Sequence, residues 1–441
     1  MKRLTFVATF TLLCQYSISA AGAFDAAIAA DDHSRALEIF AGAEPNEEDG
    51  EKLVEWFAAA KEKQRKKLTR VIVEKQRHDA IAGKHVHNEL LRMIKENRVE
   101  DDTDYAELCL KAAGPNKNPD LIYTIAPFLV HPQAVLRAEA NRAVAIRRDE
   151  RIYPLIGQLL AAENAIDKIY AMETLLALKD ERAVPLLLLQ LSNPNKNVRY
   201  FALKTLEAIG SDKAQFGVIN LAQNEADEEV RLKAVEILRQ FKTGPVFSAV
   251  QRLISDNKLA VRAKALESAL AQNDKRYAHA ISEHLARETD MAQKHALLRA
   301  LLSLGSGGGM NGVLALLKKE TDTELLLWSV HACIRFGEQR CAEPLSHLVA
   351  TNADETIVLE GVVALGAFKQ KKHLPQLLGL VADPARAQLI RSAALISVSQ
   401  FDSEAAIQPL FVTYDSEKDQ SIRVQIKGYL VDLMKRKLPK L

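Results

Sequence analysis

The sequence predicts an all-α fold, an α-α superhelix of about ten two-helix repeats that follows a helical N-terminal region. Three observations predict it. A residue near the start of each second helix recurs every 31 to 33 residues. A helix-capping residue stands four positions before most of these residues, and a small residue stands three positions after nearly all of them. A period of this length is typical of solenoids, whose repeats bury their apolar faces only by stacking.

We call the recurring residue the anchor of its repeat. The anchor is basic in the first five repeats and the last two, but not in repeats six to eight. The ten anchors are, in chain order, Arg137, Lys168, Arg199, Arg231, Arg262, Gln293, Leu326, Val358, Arg391 and Arg423. The expected capping residues are Asn164, Asn195, Asp227, Thr289, Asp322, Asp354 and Asp419. The small residues are Ala140, Ala171, Ala202, Ala234, Ala265, Ala296, Ser329, Gly361 and Ala394, and only Ile426 departs.

Residues 183–210 show the repeat most clearly. Pro185 starts a first helix of leucines, and Pro194 ends it because proline cannot continue a helix. Asn195 is placed to cap the second helix, whose apolar residues recur at helical spacing. Gly210 then ends that helix.

The segments LKDERAVPLLLLQLSNPNKNVRYFALKTLEAIG and NEADEEVRLKAVEIL resemble HEAT repeats, in the short form named after phycobilisome lyases. The resemblance covers roughly residues 119–437. It implies a right-handed superhelix whose second helices line the concave side. It is specific for fold and not for function, because this repeat occurs in many unrelated proteins.

Three segments are expected along the chain. Residues 1–23 read as a secretory signal peptide, with Lys2 and Arg3 before the short apolar run 4–14 and a small-residue cleavage site at 21–23. The alternative for this stretch is a short buried helix. Residues 24–117 form a helical N-terminal region, and residues 118–441 form the repeats. We therefore expect an exported protein, periplasmic or extracellular, without a membrane span once the signal is removed.

Charge argues against a nucleic-acid partner. The chain has 59 basic and 57 acidic residues, and removal of Lys2 and Arg3 with the leader leaves 57 of each. Nucleic-acid binding requires a clear basic excess on one face.

Cysteine spacing excludes several chemistries. Cys109, Cys333 and Cys341 remain outside the leader, and none belongs to a C-x-x-C pair. This argues against thioredoxin-like chemistry, c-type haem attachment and a cysteine zinc site. Cys333 and Cys341 flank one inter-helix loop, so they form either a disulfide or two small buried hydrophobes.

No catalytic, metal or cofactor motif assembles in the sequence. Residues 307–312 spell G-x-G-x-x-G, but they follow a helical repeat instead of the strand that a dinucleotide site needs. The histidines lack the i, i+4 spacing of a helical metal site. No His-Glu dipeptide occurs, whereas deoxyhypusine hydroxylases, which share this repeat fold, need such pairs to hold iron. We expect no enzyme activity and no cofactor.

The exposed face of the second helices is the expected binding surface. Residues five positions after the anchor are charged in repeats one to five and mostly apolar afterwards. We predict a partly exposed strip on the concave side of repeats six to nine, with aromatic residues at the matching face of earlier repeats. The strip comprises Leu298, Leu302, Trp328, His331, Val363 and Ile396, and the earlier aromatics are Tyr170 and Phe201. The alternative is that a slipped register makes these residues core.

The expected function is a non-catalytic scaffold that binds a protein or peptide partner on this face. The competing hypothesis is a lyase-like or chaperone-like factor that handles a cofactor or a chromophore-bearing protein. That hypothesis follows from the lyase resemblance. Phycobilin lyases act inside the cell, however, and a secretory leader contradicts that location.

Overall fold

The computed structural model describes residues 23, 25–42, 47–77, 79–305 and 307–437. No strand occurs among these residues, and the all-α prediction is confirmed. The predicted leader lies outside them except for its last residue. The chain divides into two compact units, with residues up to Gly217 in the first and residues from Val218 in the second. The predicted boundary between residues 117 and 118 lies within the first unit.

The first unit is a series of antiparallel helices. In chain order they are α1 (His33–Gly42), α2 (Glu47–Ala59), α3 (Glu62–Glu74), α4 (Ala80–Lys95), α5 (Thr103–Ala113), α6 (Leu121–Ile125), α7 (Ala134–Arg147), α8 (Ile152–Ala161), α9 (Ala165–Leu178), α10 (Val184–Gln190) and α11 (Lys196–Ile209). The division between the units falls inside α12 (Gln215–Asn224).

The second unit continues with the same alternation. Its helices are α13 (Glu228–Ile237), α14 (Gly244–Leu253), α15 (Leu259–Gln272), α16 (Tyr277–Leu285), α17 (Met291–Leu304), α18 (Met310–Lys319), α19 (Thr323–Phe336), α20 (Ala342–Thr351), α21 (Glu355–Phe368), α22 (Leu374–Ala382), α23 (Gln388–Ser399), α24 (Ile407–Ser416) and α25 (Gln420–Lys437).

Each unit has two layers of helices. In the second unit the second helices of successive repeats contact one another from α13 to α25, through every odd-numbered helix between them. The first helices form the other layer. In the first unit, alternate helices also contact one another in the region before the predicted repeats, since α3 contacts α5 and α5 contacts α7.

The local signals in residues 183–210 act as predicted. Pro185 lies in the first turn of α10, where its missing N–H needs no helical partner. The Asn195 side chain accepts a hydrogen bond from the backbone N–H of Asn197 and caps α11. Gly210 ends α11 with a φ of 70°, a left-handed conformation that favours glycine.

The small residue after the anchor allows neighbouring helices to approach closely. Gly361 on α21 shows this best, because a Cβ atom there would lie 2.7 Å from Cγ2 of Val349 on α20. A larger side chain at this position would force the two helices of repeat eight apart.

Three of the basic anchors bind the turn between the two helices of their own repeat. Arg137 donates from Nη1 to the carbonyl oxygens of His131 and Pro132, at 2.7 Å each. Arg199 and Arg262 make the equivalent bonds in their repeats. These carbonyls follow the end of the first helix and have no helical donor. These three anchors therefore stabilise their hairpins.

Several anchors also reach an acid in the next repeat. Three such pairs in the second unit are Arg231 with Asp256 at 2.5 Å, Arg262 with Glu288 at 3.1 Å, and Arg391 with Glu417. All six side chains are largely buried. Each pair joins two consecutive repeats at the level of the turns.

Candidate functional site

Repeat six is shifted by one residue from the predicted register. The anchor is the fourth residue of the second helix in the other repeats, and the fourth residue of α17 is Lys294. Lys294 forms the inter-repeat ion pair, with Nζ 2.6 Å from a carboxylate oxygen of Glu320. Asp290, not Thr289, caps α17 by accepting from the backbone N–H of Gln293. Gln293 is thus the wrong anchor, and its side chain is buried.

The shift explains why Leu298 and Leu302 lie in the core. Counted from Lys294, Leu298 occupies the position that packs against neighbouring helices, and both leucines are buried. The prediction that Leu298 and Leu302 are exposed is wrong. Arg299 takes the exposed position, five residues after the anchor, and its side chain faces solvent. The slipped register is confined to repeat six, because the anchors of repeats seven to nine remain fourth in their helices.

The rest of the strip reaches the surface of the second unit. Trp328 on α19 is 37% exposed, Val363 on α21 is 40% exposed, and Ile396 on α23 is 61% exposed. His331 on α19 is exposed as well. Since α19 contacts α21 and α21 contacts α23, these residues lie on three adjacent helices. They share the outward face that the helical period assigns to them.

Two further apolar residues on this face were not predicted. Leu389 at the start of α23 is 65% exposed, and Val424 on α25 is 67% exposed. At 100° per residue, Leu389 lies about 20° from Ile396 around α23. A helical wheel drawn from the anchors would have found both. We call Val363, Leu389, Ile396 and Val424 the apolar patch.

A polar border adjoins the apolar patch on α19 and α21. Trp328 donates from its indole Nε1 to a carboxylate oxygen of Glu324 at 3.3 Å. Arg299 lies 3.6 Å from the same carboxylate, with its guanidinium 6.0 Å from the centre of the Trp328 ring. His331 Nε2 is 3.4 Å from a carboxylate oxygen of Glu360. The border is thus a set of paired polar and charged side chains beside one aromatic ring.

Tyr170 and Phe201 belong to the first unit, where they are half-buried. The Tyr170 ring stacks on Arg137, with 3.6 Å between the guanidinium carbon and the ring centre. The Lys204 ammonium lies 5.1 Å from the centre of the Phe201 ring. Both rings therefore have partners within their own unit, and their role in binding stays a prediction.

Cys333 and Cys341 form a disulfide, so the first of the two alternatives holds in this structure. Both residues are buried. The bond ties α19 to the turn that precedes α20. Cys109 is also buried, and burial raises the pKa of its thiol well above the ordinary value. A thiol in that state is a poor nucleophile at neutral pH.

The glycine-rich segment forms no dinucleotide site. Gly307–Gly309 makes a 3₁₀ turn, and α18 begins directly at Met310. No strand precedes it within the described part of the chain, as a dinucleotide fold requires. Across the whole described part of the chain, no three or more His, Cys, Asp or Glu side chains come together in a group that could hold a metal ion.

A buried polar network in the first unit was not predicted. Thr69 Oγ1 lies 3.0 Å from His85 Nε2 and 3.0 Å from the Tyr105 hydroxyl. The Tyr105 hydroxyl donates to Glu89 at 2.9 Å, and Glu89 pairs with Arg65 at 3.1 Å. The network joins α3, α4 and α5. Because Thr69, His85 and Glu89 are buried, the network stabilises the packing of these three helices.

An apolar groove lies on the layer of first helices. It has a volume of about 630 Å³, separates α22 from α24 and is lined mainly by Leu374, Pro375, Leu378, Pro409 and Val412. It does not adjoin the residues predicted as the site. In the described residues no helix is both long and apolar enough to cross a bilayer.

No family model matches the chain, and no curated protein matches it. Solved structures do. Human deoxyhypusine hydroxylase is 16% identical, with a TM-score of 0.25 over 72% of this chain and 96% of that one. Kap95p, in a structure of its binding to RanGDP, is 12% identical, with a TM-score of 0.35 over 99% of this chain. Kap121p bound to Pho4p is 12% identical, with a TM-score of 0.38 over 91% of this chain.

The chain spans 65% of the matched Kap95p chain and 56% of the matched Kap121p chain. At these TM-scores and identities, the matches carry no argument about partner or activity. The paired-helix repeats themselves agree in fold with the HEAT-like resemblance. Membership of the phycobilisome-lyase form stays a prediction.

Proposed function

We propose that this protein is an exported, non-catalytic scaffold that binds a protein or peptide partner on the second-helix face of repeats seven to ten, the face expected to be concave. One observation carries the proposal. Trp328, Val363 and Ile396 lie exposed on three adjacent helices, in a layer whose other apolar side chains are mostly buried. Contiguous exposed apolar surface marks interaction sites in soluble proteins, and tryptophan is enriched among residues that dominate binding energy.

The chemistry near the apolar patch supports binding over catalysis. The carboxylates of Glu324 and Glu360 already contact Arg299 and His331. The apolar patch itself offers only aliphatic side chains. We therefore assign no catalytic residue and no cofactor, and recognition rests on apolar burial.

Export is supported by two features. The order of charge, apolar run and small residues in positions 1–23 is typical of a secretory signal. The Cys333–Cys341 disulfide fits an oxidising compartment, because disulfides are rare in the cytosol. N-terminal sequencing of the protein from its native compartment should begin at Phe24. An intact Met1 would contradict export.

Site-specific photo-crosslinking tests the binding proposal. The photoreactive residue p-benzoylphenylalanine replaces Val363 or Ile396 in the full chain, expressed in its native cell. The matched control replaces Phe216, which is 65% exposed in the first unit. We expect one partner polypeptide to crosslink at both test positions and not at the control. Equal labelling at all three positions, or labelling at none, would contradict the proposal.

A further inference from the structure

We propose that the apolar groove between α22 and α24 binds the acyl chain of a fatty acid, whose carboxylate lies beside Lys371. The groove is on the layer of first helices, so the inference is independent of the function proposed for the second-helix face. It follows from the residues that line the groove, from the position of the one charged residue among the described lining residues, and from the groove's width.

The equivalent grooves of earlier repeats are polar. The groove between α14 and α16 has a volume of about 500 Å³, and its lining includes Arg252 and Glu283. The groove between α18 and α20, of about 510 Å³, is lined in part by Arg340 and Glu343. The groove between α22 and α24 has no acidic side chain among the described residues that line it. Stacked repeats therefore leave grooves between their first helices, and the local sequence makes this one apolar.

Gly379 leaves the groove open in the middle of α22. The residue is exposed, and a Cβ atom built there would meet no atom within 4 Å. Glycine inside a helix is destabilising relative to alanine, and no neighbouring atom of this chain requires glycine here. The missing side chain allows a ligand to approach the helix backbone closely. Since Val412 on the facing helix is 61% exposed, an acyl chain in the groove would bury apolar surface of both helices.

The polar lining residues distinguish one end of the groove. Lys371 lies in the turn directly before α22, and Ser403 lies in the equivalent turn before α24. The remaining polar residue, Thr413, donates its hydroxyl to the carbonyl oxygen of Pro409 within α24. An apolar groove with a cation at one end matches the polarity of a fatty acid, which is an apolar chain that ends in a carboxylate.

Lys371 is available to an anionic ligand. Its side chain is exposed and pairs with no carboxylate among the described residues. Of the nearby acids, Glu343 pairs with Lys372, and Asp402 pairs with two basic side chains of α25. Glu404 is exposed and is not one of the lining residues. This end of the groove therefore complements a negative charge.

The groove suits an acyl chain better than a peptide. An extended peptide would place backbone N–H and C=O groups against Leu374, Leu378 and Val412, and burying them without hydrogen bonds is costly. The walls are helices whose own backbone groups are mostly paired, and Pro375 and Pro409 have no N–H. A helical peptide is about 10–12 Å wide with its side chains, whereas α22 and α24 contact each other directly. Such a helix would lie over the groove without filling it.

Binding of dodecanoate to the full chain tests the proposal. Isothermal titration of lipid-stripped protein, below the micellar concentration of the ligand, should show one saturable site. Affinity should rise from octanoate to dodecanoate, by up to about fourfold for each added methylene that is buried. Gly379→Leu should weaken dodecanoate binding by about tenfold or more, because the leucine side chain occupies the groove. The matched control Gly428→Leu, at another helical glycine with open space around its Cβ position, should bind as the wild type does.

A second variant tests the role of the charge. Lys371→Gln should weaken decanoate binding several-fold and leave decanol binding unchanged, because only the acid carries a negative charge. Lys318→Gln, in the groove between α18 and α20, is the matched control and should change neither affinity. Equal losses for decanoate and decanol in Lys371→Gln would overturn the assigned position of the carboxylate.

Three results would overturn the proposal as a whole. They are the absence of saturable dodecanoate binding, equal affinity in Gly379→Leu and the wild type, and a wild-type dimer that Gly379→Leu dissociates. The dimer, detected by light scattering, would show that a second copy occupies the groove. Thermal unfolding should give Gly379→Leu a midpoint no lower than that of the wild type, since leucine favours helices more than glycine does. If that variant does not fold, the comparison of decanoate with decanol in Lys371→Gln decides.

Discussion

Arg391 and Glu417 form an ion pair that is buried between repeat nine and repeat ten. The two side chains are 4% and 5% exposed, and Arg391 also donates to the backbone carbonyl of Val381. Burial raises the pKa of the Glu417 carboxyl, but hydrogen bonds from Arg391 and from backbone N–H groups outweigh burial and lower it overall. The pair joins two repeats and closes a turn at the same time.

Removing one partner of this pair should be costly. Glu417→Ala leaves the Arg391 guanidinium buried without its carboxylate, so we expect the free energy of unfolding to fall by about 3 kcal/mol or more. Denaturant unfolding measures this change. The matched control is Glu343→Ala, which removes the exposed pair with Lys372 and should cost much less. Equal losses in the two variants would contradict the role of the buried pair.

The register of repeat six gives a second prediction. Burial raises the pKa of Glu320, but Lys294 and two backbone N–H groups lower it overall. Lys294→Met should therefore destabilise the protein by about 2 kcal/mol, because Glu320 loses its cation in a largely buried site. Lys264→Met, which removes an exposed pair with Glu267, is the control. If Gln293→Ala proved as costly as Lys294→Met, the assigned register would be wrong.

The disulfide gives a third prediction. Cys333 and Cys341 are eight residues apart, so the bond closes a short loop in the unfolded chain. The double variant Cys333→Ala, Cys341→Ala should lose about 2–3 kcal/mol of unfolding free energy by the chain-entropy account. Cys109→Ala, at a buried unpaired cysteine, should lose only about 1 kcal/mol. A double variant as stable as the wild type would show that the bond does not form in solution.

The buried network in the first unit predicts a pH dependence. Burial lowers the pKa of His85 to about 4, against an ordinary value near 6.5. Between about pH 6.5 and 4, His85 is therefore neutral in the folded chain but protonated in the unfolded chain. The unfolded state binds more protons in this window, so stability falls as pH falls through it. The loss approaches about 3 kcal/mol near pH 4.

A variant isolates this contribution from that of the carboxylates. His85→Gln removes the titrating ring and keeps a polar side chain near Thr69. Its unfolding free energy should change less steeply than that of the wild type between pH 6.5 and 4. His279→Gln, at an exposed histidine, should follow the wild type. Parallel curves for all three proteins would contradict the assigned role of His85.

The helical architecture could be predicted because its signals are local. Each local signal, such as the cap at Asn195, the proline at 185 or the glycine at 210, acts on the helical turn next to it. The period of the anchors shows where similar signals recur along the chain. The register of repeat six could not be settled in this way. Gln293 and Lys294 are neighbours, and Thr289 and Asp290 both cap helices well. The structure distinguishes the two, through the Asp290 cap and through the contact between Lys294 and Glu320, which are 26 residues apart.

The candidate site was only partly predictable for the same reason. His331, Val363 and Ile396 were found because their repeats keep the common register. Leu298 and Leu302 were misassigned with repeat six. The buried network depends on contacts such as Thr69 with Tyr105, which are 36 residues apart. Such contacts follow from packing and leave no local pattern in the sequence.

The claim that the exposed second-helix face holds the partner is tested most directly by comparing the affinity of the crosslinked partner for Trp328→Ala with its affinity for the wild-type chain. Isothermal titration of the purified partner should show binding weaker by about 2 kcal/mol, or roughly 30-fold, than to the wild-type chain. Trp328 is 37% exposed, so the variant should lose some packing but keep a cooperative unfolding transition with a modestly lower thermal midpoint. Phe216→Ala, the control in the first unit, should bind as the wild type does. Unchanged affinity in Trp328→Ala, with the fold intact, would contradict the claim that this face holds the partner.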